Sequence, residues 1–145
     1  MVQVVGMQVI IIGGGAAGLM AMATILEQNP SVAVTLIDRN DGLGKKVIIS
    51  GGGRCNVTTG IEDVKTVLTK YPRGSKFLSS AMHKFSPSAV MDWFTAHGVP
   101  LKIQVDMRVF PVSDDGRDVV QVFEKLFAEH KATILCKSPV IRIER

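Results

Sequence analysis

One stretch near the amino end decides the fold: Val9-Ile10-Ile11-Ile12-Gly13-Gly14-Gly15-Ala16-Ala17-Gly18. Its β-branched run predicts a strand buried on both faces at residues 9–12, which the glycines end at once. Residues 16–28 are rich in Ala, Leu and Met at helical spacing, and Asn29-Pro30 ends the predicted helix. A second buried strand is predicted at residues 32–37. The result is a βαβ unit of about 30 residues, whose crossover should be right-handed.

The glycine spacing Gly13-x-Gly15-x-x-Gly18 fits the fingerprint of dinucleotide-binding proteins. Gly13 permits the tight turn, Gly15 lets the backbone approach a pyrophosphate, and Gly18 lets the helix pack on the strand. Asp38 ends the second strand 20 positions after Gly18, where its carboxylate can accept both ribose hydroxyls. It argues against the 2′-phosphate of NADP, although Arg39 beside it keeps NADP as an alternative. A plain glycine turn in another α/β fold is the competing interpretation.

Composition places the chain among globular proteins of one domain. It has 145 residues, of which 46% are hydrophobic and 21% charged, so a disordered or fibrous chain is excluded. The net charge of +4 fits an anionic cofactor, a polyanionic partner or a surface adapted for solubility. We interpret the basic residues as a solvated face and expect no nucleic-acid partner.

The cysteines and histidines predict neither a disulfide framework nor a metal site. Cys55 and Cys136 lie far apart, and the three histidines share no ligand spacing with them. The cysteine usage suits a reducing environment, so we expect a cytoplasmic protein. With no apolar segment of about 18 residues and no basic signal region, we expect no membrane span.

A second glycine-rich stretch, Gly44-Lys45-Lys46-Val47-Ile48-Ile49-Ser50-Gly51-Gly52-Gly53-Arg54-Cys55-Asn56-Val57-Thr58, carries further polar groups. Three consecutive glycines expose backbone N–H groups, and Arg54 and Asn56 add donors for phosphate, carbonyl or flavin acceptors. A merely flexible loop is the alternative. For Cys55 we expect packing rather than reactivity, the alternative being a thiol whose pKa is lowered by a neighbouring cation.

The rest of the chain predicts an inserted segment and a third strand. We expect a loop at 40–53 with 47–49 extended, and helices at 59–70, 76–85 and from Ser86-Pro87 to Gly98. A strand or hairpin at 101–110, a turn at 111–116, a helix at 118–129 and strands at 133–135 and 140–143 complete the assignment.

Both glycine stretches together resemble the NAD(FAD)-utilising dehydrogenases, or aminoacetone-oxidase-like FAD enzymes, of bacteria and archaea. The Gly51-Gly52-Gly53-Arg54-Cys55-Asn56 block is the more specific match, and further matches lie at 81–87, 108–114 and 118–120. In that family the first fingerprint holds the ADP half of FAD, and the second loop lies toward the pyrophosphate and flavin. The resemblance therefore implies these cofactor-binding candidates: Gly13, Gly14, Gly15, Ala16, Ala17, Gly18, Asp38, Arg39, Lys46, Gly51, Gly52, Gly53, Arg54, Cys55 and Asn56.

The resemblance implies an α/β fold with a Rossmann-like FAD-binding core, namely a βαβ unit plus a third parallel strand, carrying an inserted helical and hairpin segment. We expect residues 1–145 to be the amino-terminal portion of one FAD-binding domain, a truncated fragment whose exposed sheet edge favours self-association. The expected function is that of an FAD-dependent oxidoreductase acting on a small molecule, with NAD(P)H as a candidate electron donor. An NAD(P)-binding Rossmann dehydrogenase and a non-catalytic nucleotide-binding module are the alternatives.

Overall fold

The computed structural model describes residues 7–144. Its elements in chain order are β1 (Gln8–Ile12), α1 (Ala16–Gln28), β2 (Ala33–Ile37), α2 (Lys45–Ile49), a 3₁₀ turn (Ser50–Gly53), β3 (Thr58–Thr59), α3 (Val64–Thr69), α4 (Ser75–Lys84), α5 (Pro87–Ala96), β4 (Leu101–Ile103), β5 (Arg108–Pro111), α6 (Gly116–Glu129) and β6 (Thr133–Leu135). They form two compact units. The first contains the described residues up to Ile48 and those from Val120 onward, and the second is Ile49–Val119.

The first unit is built on a parallel sheet with the strand order β1-β2-β6. Val9 pairs with Val34, and Leu36 pairs with both Ile11 and Ile134. The side chains of these paired residues therefore lie on one face of the sheet. Helix α1 packs against β1 and β2, and its Leu19, Met22, Ala23 and Leu26 are buried because they recur at helical spacing. The predicted βαβ unit and third parallel strand are confirmed. The expectation that the strand at residues 9–12 is buried on both faces is wrong, because Ile10 and Ile12, on the face away from α1, are 65% and 53% exposed.

The second unit contains the inserted segment, with an antiparallel sheet in the order β3-β5-β4. Strands β4 and β5 form the expected hairpin, in which Ile103 pairs with Val109. Helix α5 begins where its sequence predicts, because the Ser86 hydroxyl accepts a hydrogen bond from the Ala89 N–H at 3.2 Å and Pro87 follows the cap.

Three assignments of secondary structure made from the sequence are also wrong. Residues 47–49, expected to be extended, lie in α2, because the Gly44 carbonyl accepts the Ile48 N–H and starts a helical turn. The helix expected at 59–70 begins only at Val64, where the Asp63 carboxylate caps it, and Thr59 belongs to β3. Residues 140–143 form no strand, because no strand among residues 7–144 pairs with them.

No helix within residues 7–144 is long and apolar enough to cross a membrane.

Candidate dinucleotide-binding site

Two glycines of the turn after β1 are required by the backbone itself. Gly13 has φ +104°, which favours glycine, and its N–H donates to the Ile37 carbonyl at 2.8 Å. A Cβ on Gly18 would lie 1.9 Å from the Gly13 carbonyl oxygen. Glycine at position 18 therefore allows α1 to pack directly on the turn, as the spacing predicts.

Gly15 has no such requirement within the chain. Its φ of −85° and ψ of −174° suit any residue, and a Cβ there would meet nothing within 4 Å. Gly15 is also the residue before α1, whose start has neither a side-chain cap nor an acidic residue in its first turn. The open space therefore lies at an uncapped helix amino terminus, which is an anion-binding arrangement.

Asp38 follows β2 and is only 8% exposed. Its Oδ2 accepts the Gly14 N–H at 2.6 Å, and its Oδ1 accepts the backbone N–H and side-chain Nδ2 of Asn40 at 2.6 and 2.8 Å. The Asn40 backbone N–H is the main cause that lowers the pKa of Asp38, with Gly14 adding to it and burial opposing it. The carboxylate is thus ionised and fixed at the turn between β1 and α1.

A cleft of about 420 Å³ lies at the carboxyl ends of the parallel strands. It brings together six of the sequence-predicted residues: Gly13, Gly14, Gly15, Asp38, Arg39 and Lys46. Ala16 and Ala17 form the first turn of α1, and Gly18 follows them. A crevice at this edge of a parallel sheet is where open α/β folds bind their ligands.

The cleft also contains residues that sequence reasoning missed. Asn40 orients Asp38, and Ser138, Pro139 and Val140 line the wall beyond β6. The Ser138 N–H donates to the Asp38 carbonyl at 2.9 Å, which holds this segment beside β2. Only their position after β2 and β6 could have identified these residues, because loops that follow parallel strands converge at one edge of the sheet.

Leu43 and Gly44 contact Gly14 in the turn after β1. The Gly44 N–H donates to the Gly14 carbonyl at 2.8 Å, and a Cβ on Gly14 would lie 2.5 Å from Cδ2 of the buried Leu43. Glycine at position 14 is therefore explained by packing.

The predicted residues Gly51–Asn56 lie in the second unit and form a tight loop. Gly51, Gly52 and Gly53 all have left-handed φ values of 58°, 73° and 88°, which explains the three consecutive glycines. The Asn56 Oδ1 accepts the Val109 N–H at 3.2 Å and ties the loop to β5. These left-handed residues and the bond to β5 give the loop a defined conformation, which favours a specific role over that of a flexible connection.

Cys55 is buried, and burial raises the pKa of its thiol, against a smaller opposing effect of the Ser50 side chain. Burial thus disfavours the thiolate, which supports packing rather than a thiol activated by a neighbouring cation. Within residues 7–144 no cluster of three His, Cys, Asp or Glu side chains could hold a metal ion.

Comparison with known proteins agrees with this geometry. The sequence profile described as "HI0933-like protein Rossmann domain" matches residues 7–145. The chain is 26% identical over 124 residues to the 3-dehydro-bile acid delta(4,6)-reductase of Clostridium scindens, covering 86% of this chain and 29% of that protein. It is 29% identical over 136 residues to the ribosomal RNA dihydrouridine synthase of Escherichia coli K12, covering 94% of this chain and 32% of that protein.

Among solved structures, the chain resembles THI4 of Thermovibrio ammonificans with a TM-score of 0.56 and 13% identity, over 90% of this chain and 37% of that one. At that identity the likeness supports the fold alone. The chain spans about a third of the length of the curated relatives it matches. The family profile, by contrast, covers every described residue, so the chain belongs to the HI0933-like Rossmann-domain family of FAD-binding flavoproteins.

Proposed function

We propose that this chain binds the ADP half of FAD as part of an FAD-dependent oxidoreductase. The observation that carries the proposal is Gly15, whose missing side chain leaves open space at the amino terminus of α1 for no reason internal to the fold. A pyrophosphate fits that space, because the free N–H groups of a helix start favour phosphate oxygens.

Different residues around this space would bind different groups of the cofactor. The N–H groups at the start of α1 would hold the pyrophosphate, and the cations Arg39 and Lys46 line the same cleft. The Asp38 carboxylate would accept the ribose hydroxyls, since each carboxylate oxygen can accept more than one hydrogen bond. Its ionised, fixed state disfavours a 2′-phosphate and so favours FAD or NAD over NADP.

For the glycine loop 51–56 we propose, on the family resemblance, a role in hydrogen bonding to the cofactor. Gly52 and Gly53 have open space where a Cβ would stand, and Arg54 adds a guanidinium. These groups would donate to oxygen acceptors of the pyrophosphate or flavin. Bound FAD would supply the hydride or electron transfer, while the chain binds and orients it.

An oxidoreductase activity is supported by the names of the relatives, a reductase and a dihydrouridine synthase. For this protein we propose NAD(P)H as electron donor and a small molecule as substrate.

Calorimetric titration of the purified chain with FAD, ADP, NAD⁺ and NADP⁺ tests the proposal. We expect FAD to bind with the highest affinity, ADP to compete with it, and NADP⁺ to bind most weakly. Tighter binding of NAD⁺ than of FAD would support a pyridine-nucleotide dehydrogenase instead. Binding of ADP with the same affinity as FAD, without oxidation of NADH by the FAD-loaded protein, would support a non-catalytic nucleotide-binding module.

A further inference from the structure

Two sequence segments that lie some fifty residues apart meet in the second unit. The first is the glycine loop 51–56, and the second is the segment 108–114, for which the sequence predicts a strand and a turn but no part in cofactor binding. The Val109 N–H donates to Asn56 Oδ1, and a Cβ on Gly51 would lie 2.8 Å from Cε1 of Phe110. The glycine loop therefore packs against the second segment.

The Arg54 side chain is held from three directions at this junction. Its guanidinium carbon lies 4.0 Å from the centre of the fully buried Phe110 ring, and its Nη1 lies 3.6 Å from Asp114 Oδ1. Its Nε contacts the Gly51 carbonyl oxygen at 3.4 Å. A cation over an aromatic face and beside a carboxylate loses most of its orientational freedom.

Asp114 is itself fixed, because Lys102 Nζ pairs with its Oδ2 while Oδ1 faces Arg54. The hydrogen bond from Lys102 is the main cause that lowers the pKa of Asp114, so the carboxylate is charged at neutral pH. Two cations therefore share one carboxylate, and a positive charge remains uncompensated among these three groups.

We propose that Asp114 and Phe110 are positioning residues that hold the Arg54 guanidinium ready for an anionic or carbonyl oxygen of FAD. The inference rests on the proposed function for the identity of that ligand. Arginine is suited to such a role because its planar fork gives directional hydrogen bonds once its orientation is fixed. Asp114 and Phe110 act through Arg54 and need no contact with the cofactor.

A double-mutant cycle on the affinity of the purified chain for FAD tests this inference. We expect Arg54→Gln to weaken FAD binding about tenfold or more, and Asp114→Asn to weaken it about three- to tenfold. In the Arg54→Gln background, Asp114→Asn should have no further effect. Asparagine is the suitable replacement, because Asp114 has φ +58° and asparagine tolerates that conformation.

A neighbouring carboxylate provides the matched control. Asp115 pairs with Arg117 through Oδ2 at 2.7 Å, so Asp115→Asn removes an ion pair of the same kind and should leave FAD affinity unchanged.

Phe110→Leu keeps an apolar side chain but removes the ring face. It should weaken FAD binding in the wild-type background and have no effect on affinity in Arg54→Gln, provided that melting curves show both variants folded.

The outcomes separate this inference from the proposed function. Loss of affinity on Asp114→Asn that persists fully in the Arg54→Gln background would show a general structural role and overturn the inference. Wild-type affinity of Asp114→Asn together with weakened Arg54→Gln would also overturn it, while leaving the proposed FAD site intact. Unchanged affinity of Arg54→Gln would remove Arg54 from the proposed site and the inference with it.

Discussion

Neighbouring glycines of one turn are required for different physical reasons. Gly13 supplies a left-handed φ, Gly14 avoids Leu43, and Gly18 avoids a backbone oxygen. Gly15 alone among these four has an ordinary conformation and empty space around it. A sequence motif states only that glycine occurs, whereas the structure shows which of these glycines the fold requires.

At Asp38 the structure combines a folding role with the proposed binding role. We predict that Asp38→Ala weakens binding of FAD and ADP by about 1–3 kcal/mol, because charge-assisted hydrogen bonds to the ribose are lost. The variant also loses the contacts to Gly14 and Asn40, so binding must be compared with melting. Affinity that stays at the wild-type value in a folded variant would remove the assignment to the ribose.

The same carboxylate should contribute to acid stability. Its pKa in the folded chain is lowered below the ordinary value of 3.8, so its stabilising contribution is present above that pH. The contribution is lost as pH falls through the folded-state pKa, because the unfolded chain then binds the proton first. Thermal melts between pH 6 and about pH 2 should therefore show a shallower acid decline for Asp38→Asn than for the wild type. Parallel declines would contradict the prediction.

Among the elements, those with a strong local signal could be predicted from the sequence. The β-branched runs of β1 and β2, the cap at Ser86 and the amphipathic spacing of α6 each carry their own evidence. The parallel arrangement followed from the βαβ connection. These signals need no information from distant parts of the chain.

The elements that sequence reasoning missed depend on distant contacts. Residues 47–49 are helical in α2 despite their β-branched side chains. The reason is that Gly44 is hydrogen-bonded to the Gly14 carbonyl and directs the chain into a helical turn. Residues 140–143 alternate like a strand but lack a pairing partner among the described residues. The contact between Arg54 and Phe110 likewise joins positions that no local pattern connects.

The packing of α1 on its turn provides a test at the level of the element. We predict that Gly18→Ala destabilises the chain by about 1–3 kcal/mol, because the added methyl group meets the Gly13 carbonyl oxygen. Chemical denaturation measures this effect. Wild-type stability would show that the turn can move away and that α1 is not fixed by this contact.

For the molecule as a whole, one face of the parallel sheet is exposed. Ile10 and Ile12 point away from the face that packs on α1 and are 65% and 53% exposed, and Leu135 lies on the same outer face. Parallel sheets are normally covered on both faces. Among the described residues β1 and β6 are the edge strands of this sheet, and edge strands and apolar faces both favour association between chains.

We predict that the purified chain self-associates with rising concentration and that Ile10→Lys reduces this without lowering the melting temperature. Val105→Lys, which changes a fully exposed apolar residue of the second unit, is the matched control and should leave association unchanged. Light scattering after size-exclusion chromatography measures both. A concentration-independent monomer would contradict the prediction.

The most direct test of the FAD site is the substitution Gly15→Val. Valine suits the extended backbone at this position and meets no atom of the chain at its Cβ, so the variant should melt within a few degrees of the wild type. Its side chain would occupy the space proposed for the pyrophosphate, so titration with FAD should show no binding. If Gly15→Val melts as predicted but binds FAD with unchanged affinity, the cofactor does not use this turn and the proposed site is wrong.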